Sequence, residues 1–287
     1  MSARERGFAL LIVLWTLVFL AFLMTQIMTT SRTAVRLAGN LRAAAQARAA
    51  ADGAINEAVF HLLGTGDNHW PADGATHLVT VGGVTVTVRA RSLAGMVNPN
   101  LASAALLDGL LQAVEVPEEQ AAPLADAIVT WRGPPDSPAD EAAALAVYRR
   151  AGRLYGPPGR SFATLAELTD VLGMTPAIFG RLQPHLSLFQ PADPDPTVAD
   201  KVVARALAIA SGLNPNADGY TGAPVVAIAA CAAAPAALCR NAVVSLPGTG
   251  SGTPYRFLSW DDGYGLQISP GSPGWPGLSA SPSEQRS

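Results

Sequence analysis

The spacing of hydrophobic and polar positions changes several times along the chain. From Phe8 to Met28 there is no charged residue, and only Thr16, Thr25 and Gln26 are polar. A helix rising about 1.5 Å per residue carries this stretch across about 30 Å, the thickness of a hydrocarbon core. Arg4 and Arg6 precede it, which places the N-terminus in the cytoplasm and the rest of the chain across the membrane. The stretch is longer than the apolar core of a secretory signal, about 7–15 residues, and no clear A-x-A-like site follows. Val35, Ala38, Leu41, Ala45, Ile55, Val59 and Leu62 then recur at near-helical steps. Arg32, Arg36, Arg42 and Arg48 lie largely off that stripe. The pattern predicts one helix to about Leu63, apolar all round at first and amphipathic later, ended by Gly64–Asp67.

The period then shortens to two. Val84, Val86, Val88 and Ala90 alternate with Thr85, Thr87, Arg89 and Arg91, and Gly82-Gly83 suits a two-residue hairpin turn. The helical period returns from Met96 to about Phe189, with helices expected after Asn98, over Pro117–Trp131 and over Ala139–Gly152. Two more are expected between Phe162 and Leu186, hinged at Gly173. Gln190–Pro196 reads as a linker. Beyond it, Asp195–Ala208 echoes Asn98–Leu111: each is polar-Pro-polar-apolar-Ala followed by a helix. Gly222–Arg240 carries little pattern. Strand-like alternation returns near Asn241 and Pro254, and the Pro-, Gly- and Ser-rich tail 270–287 is expected to be disordered.

Composition narrows the classes. Of 287 residues, 14% are charged and the net charge is −3, so a polyanion partner is not indicated. His61, His69, His77 and His185 are scattered without metal-ligand spacing. No nucleophile elbow, phosphate loop or dinucleotide fingerprint occurs, so no enzyme is indicated. Asp261-Asp262 beside Trp260 reads as a turn rather than a catalytic pair. The two cysteines, Cys231 and Cys239, fit one small disulfide loop outside the cytoplasm and equally fit two free thiols.

A basic leader, a glycine, a phenylalanine and a long half-apolar helix resemble a type IV pilin-type N-terminus. That resemblance implies cleavage between Gly7 and Phe8 by a prepilin peptidase and methylation of the new amine. Most pilin-like proteins carry Glu as the fifth mature residue, where this chain has Ile12. A carboxylate in the bilayer centre costs about 2.5–3.5 kcal/mol or more and becomes tolerable beside a neighbour's amine. A subunit with nothing ahead of it lacks that amine, so Ile12 suits one that starts or caps a fibre.

The layout also resembles the type II secretion minor pseudopilin K (general secretion pathway protein K) family. The carrying residues are Arg6–Trp15, Met96–Leu111, Leu124–Asp136 and Phe162–Phe189. This implies an α+β fold: a long N-terminal helix packed on an antiparallel sheet, with a large helical insertion between strands. The expected order is a leader at 1–7, a membrane and fibre-core helix at 8–28, and an amphipathic helix with the first strands at 29–95. An inserted helical domain at 96–192, returning strands at 193–269 and the tail follow. The resemblance further implies a tip subunit of a pseudopilus, anchored once in the inner membrane with its bulk periplasmic, assembling with minor pseudopilins I and J. Calcium is described in the family's helical block. Thr130 and Gly133 stand here where aspartates are expected, which leaves Asp136, Asp140 and Glu141, and a solvated helix start accounts for them equally well. The rival reading is a membrane-anchored helix-hairpin-helix DNA-binding protein for uptake. It lacks clustered Lys and Arg, since Asn98–Leu111 has no basic residue and Thr164–Arg181 has one.

Overall fold

A computed structural model describes residues 3–134, 137–211, 224–246 and 255–261, with the side chains of 3–11, 23 and 25–34 outside the description. The N-terminal pattern forms one helix, α1 (Ala3–Leu63). Five strands, β1 (Asp73–Val81), β2 (Val84–Ser92), β3 (Val225–Ala232), β4 (Leu238–Ser245) and β5 (Arg256–Asp261), form an antiparallel sheet in chain order. Gly82 and Gly83 both take positive φ in the β1–β2 turn, the conformation a tight hairpin requires.

The second part of α1 lies on the sheet. Ala47, Ala51, Ala54, Ile55, Ala58, Val59 and Leu62 pack on Val86, Val88, Ile228, Ala230, Ala242 and Val244. Alanines let helix and sheet approach closely, and the larger side chains each contribute about 1.5–3 kcal/mol by burial. The stripe expected to begin at Val35 is only half used. Val35, Leu41 and Ala45 are exposed, because the sheet reaches α1 only from about Ala47. Asp52 pins the far strands: its Oδ1 accepts from Arg240 Nε at 2.7 Å and from Trp260 Nε1 at 3.2 Å.

The insertion leaves the sheet after Ser92 and returns at Val225, where Leu93 N donates to the Val225 carbonyl at 2.8 Å. This is the end at which α1 stops, since Ser92 N donates to Ala72 O and Trp70 N donates to His61 O. The β1–β2 turn marks the other end, where Val81 meets α1 at Gly53. The helical unit therefore lies beyond the C-terminal end of α1. Its helices are α2 (Ala104–Ala113), α3 (Glu118–Arg132), α4 (Pro138–Arg150), α5 (Pro176–Leu182) and α6 (Lys201–Ala210). Leu106, Leu110, Leu124, Ile128, Trp131, Tyr148, Leu168, Leu182 and Val203 share its core.

Several expectations change here. Helix α6 was expected to belong to the returning strands, yet Val203 and Ala206 are buried in the helical core. The unit thus extends past residue 192 to Ala210. The segment before Gly173 is a 3-10 turn, Leu165–Asp170, rather than an α-helix. The strand-like end at Leu186 makes only one parallel bridge, to Val97. The low-pattern stretch contains β3, which is buried along nearly its whole length. A strand covered on both faces has no reason to alternate. Asp262 and the tail 270–287 lie outside the described residues.

The echo between Asn98–Leu111 and Asp195–Ala208 is structural. Asn98 and Asp195 each accept, through Oδ1, the N–H two residues on, from Asn100 and Thr197. Ser103 and Asp200, equivalent in the repeat, are the N-caps of α2 and α6. The two helices then pack on each other at equivalent positions. A Cβ on Gly109 would come within 2.6 Å of the Ala206 carbonyl oxygen, a contact that only glycine allows.

Candidate functional site

Two features stand at opposite ends of the molecule. The first is the N-terminal half of α1. Gly7, Phe8 and Ile12 lie on its continuous helical backbone, with the Phe8 side chain outside the description. Ile12 is 50% exposed, and Val13, Leu14, Trp15, Leu17, Val18, Phe19, Leu20 and Phe22 are more so. Among the described residues nothing covers them. Among the described residues no helix is long and apolar enough to cross a membrane, and the flanks of the expected span 8–28 lie among side chains that are not described. Sequence alone carries the anchor.

The second feature is the helical unit and the locks that hold it. Arg132, at the end of α3, donates through Nη1 to Pro99 O and through Nη2 to Ala102 O, the latter at 2.6 Å. Burial lowers its guanidinium pKa. Asn100 exchanges two hydrogen bonds with the Phe162 backbone, at 3.0 and 2.8 Å. Asn98 Nδ2 donates to Gln190 O at 2.6 Å, closing the unit where it meets the sheet. Burial alone would raise the Asp200 carboxyl; hydrogen bonds from His185 and the N–H groups of Val203 and Val202 outweigh it and hold the carboxyl below the usual range. His185 Nδ1 lies 2.7 Å from Asp200 Oδ2. Tyr148, whose hydroxyl accepts from Leu172 N, is pushed upward, mainly by burial. The sequence places the segments around Asn98, Arg132 and Phe162 far apart, and only the fold brings them together. The dense Asn-Pro-Asn and Trp-Arg clusters were the available signal.

The other candidates separate. Cys231 and Cys239 face each other on β3 and β4 and are joined in a disulfide, with Cα atoms 4.1 Å apart. Asp140 and Glu141 lie in the first turn of α4, and Asp136 lies outside the described residues. Asp140 is engaged in the cap, accepting from the Ser137 hydroxyl at 2.7 Å. Among the described residues no three His, Cys, Asp or Glu side chains are placed to share a metal. The segments that resemble DNA-binding hairpins bury Leu106, Leu107, Leu110, Leu111 and Leu168 in the core, and their described residues present no basic cluster.

Comparison with known proteins agrees with this geometry. Residues 87–191 match the family model for type II secretion system protein K, first domain. A chain in the crystal structure of the GspK-GspI-GspJ complex from the type 2 secretion system of enterotoxigenic Escherichia coli shares the fold. Its TM-score is 0.52 at 14% identity, over 82% of this chain and 99% of that one. No curated protein matches. The matched family is a structural component of secretion machinery, which leaves the DNA-uptake alternative without support. Residues 87–191, from β2 through most of the insertion that tops the sheet, are thus similar to the first domain of type II secretion system protein K.

Proposed function

We propose that this chain is the leading subunit of a type II secretion pseudopilus, where it initiates or caps the fibre. The observation that carries this reading is the opposition of two ends. The helical unit lies beyond the C-terminal end of α1, and the uncovered apolar half of α1 projects the other way. A fibre grows by packing such apolar halves side by side, so the bulky end faces forward and leaves no seat for a subunit above. Ile12 is consistent with that place, because a leading subunit has no amine ahead of it to match a carboxylate. Before assembly, Phe8–Met28 holds the chain in the inner membrane, with the folded part in the periplasm. A prepilin peptidase cuts between Gly7 and Phe8. The partners are the minor pseudopilins I and J, by analogy with the complex that shares the fold. N-terminal sequencing of the mature protein tests the processing step: a start at methylated Phe8 supports it, and an intact Met1 on the assembled protein would contradict it.

A further inference from the structure

A groove of about 660 Å³ runs between α3 and α4 and has no part in the roles above. Leu124, Ala127, Val147 and Ile178 line it with apolar surface. Its charged groups have one sign. Glu119 and Asp126 stand two turns apart on α3, both exposed, and among the described residues no Lys, Arg or His lines the groove. Among the described residues neither carboxylate has an ion-pair or hydrogen-bond partner. Pro123 sits between them inside the helix, so the Glu119 carbonyl lacks the N–H that a helix normally supplies there. An apolar trough with an anionic lip matches a long basic side chain, whose aliphatic stem lies on apolar surface while its charged head reaches the carboxylates.

We propose that this groove docks a segment of a partner protein in which an Arg or Lys side chain stands next to an apolar one. Charge complementarity carries the choice of occupant: the rim offers two unmatched carboxylates and no cation. The assignment holds wherever the chain sits in a fibre. The test uses the full chain in a zwitterionic detergent and fluorescence anisotropy of a short, capped peptide of alternating Leu and Arg. A counterpart with Glu in place of Arg serves as control. Saturable binding of the Arg peptide alone is expected. The double variant E119Q/D126N, which preserves shape, should weaken it about tenfold, and Ala127→Trp, which fills the trough, should abolish it. Equal binding by E119Q/D126N, equal binding of the Glu peptide, or no saturable binding would overturn the assignment. So would self-association that E119Q/D126N abolishes, which gives the groove to a second copy. Binding that arises only after residues 262–287 are removed would instead give it to this chain's own C-terminal segment.

Discussion

The two halves of α1 share one backbone and meet different surroundings. From Ala47 to Leu62 the helix buries alanines, Ile55, Val59 and Leu62 on the sheet. From Ile12 to Met24 it exposes larger apolar side chains than it buries on the sheet, and among the described residues nothing covers them. In the second half the fold supplies the partner surface; in the first half a partner has to come from outside, as lipid or as neighbouring helices. The more hydrophobic half is therefore the one that contributes least to the stability of the isolated chain.

Removing residues 1–34 breaks this comparison most sharply. The remaining protein should leave the membrane fraction entirely while its melting temperature stays within a few degrees, because the sheet contacts begin near Ala47. Loss of folding on truncation would show that the first half is part of the core. In the second half, Asp52→Ala takes a carboxylate from Arg240 and Trp260 and should cost about 2–3 kcal/mol in denaturant unfolding. In the helical unit, Gly109→Val forces α2 from α6 and should cost about 1–3 kcal/mol, whereas Gly180→Ala, with open space around it, should be neutral or slightly stabilising.

The smallest expected effect is a pH dependence. The Asp200 carboxyl is held below the usual range, so its contribution is present above the unfolded carboxylate value, about 3.9. It is lost as pH falls through the lower folded value. Thermal melts from pH 6 down to pH 2 should show a steeper loss for the natural chain than for Asp200→Asn, which keeps an N-cap but not the charge. Parallel curves would remove the His185–Asp200 pair from the account.

How much of this was legible depends on what each segment packs against. The apolar run 8–28, the Gly82-Gly83 turn and the alternation of β2 show in the sequence because each has one face or one environment. Ile12 as a departure was equally plain. The alanine stripe of α1 was hidden because Ala47, Ala51 and Ala58 differ little in hydrophobicity from the exposed alanines beside them. Strand β3 was hidden by burial on both faces, and the membership of α6 by a contact between helices far apart in sequence. The Arg132 and Asn98 locks are hydrogen bonds to backbone carbonyls, which leave no complementary residue to find. Asp136, Asp140 and Glu141 looked like a cluster in sequence; of these, Asp140 is engaged in capping α4.

The central claim is that the bulky end of this subunit faces forward, with nothing above it. The most direct measurement is the position and number of copies in isolated pseudopili, read by electron microscopy with a label on the exposed helix α4. The account predicts a single label at one extremity of each fibre, for the natural chain and for Ile12→Glu alike. Labels spaced along the shaft would contradict it.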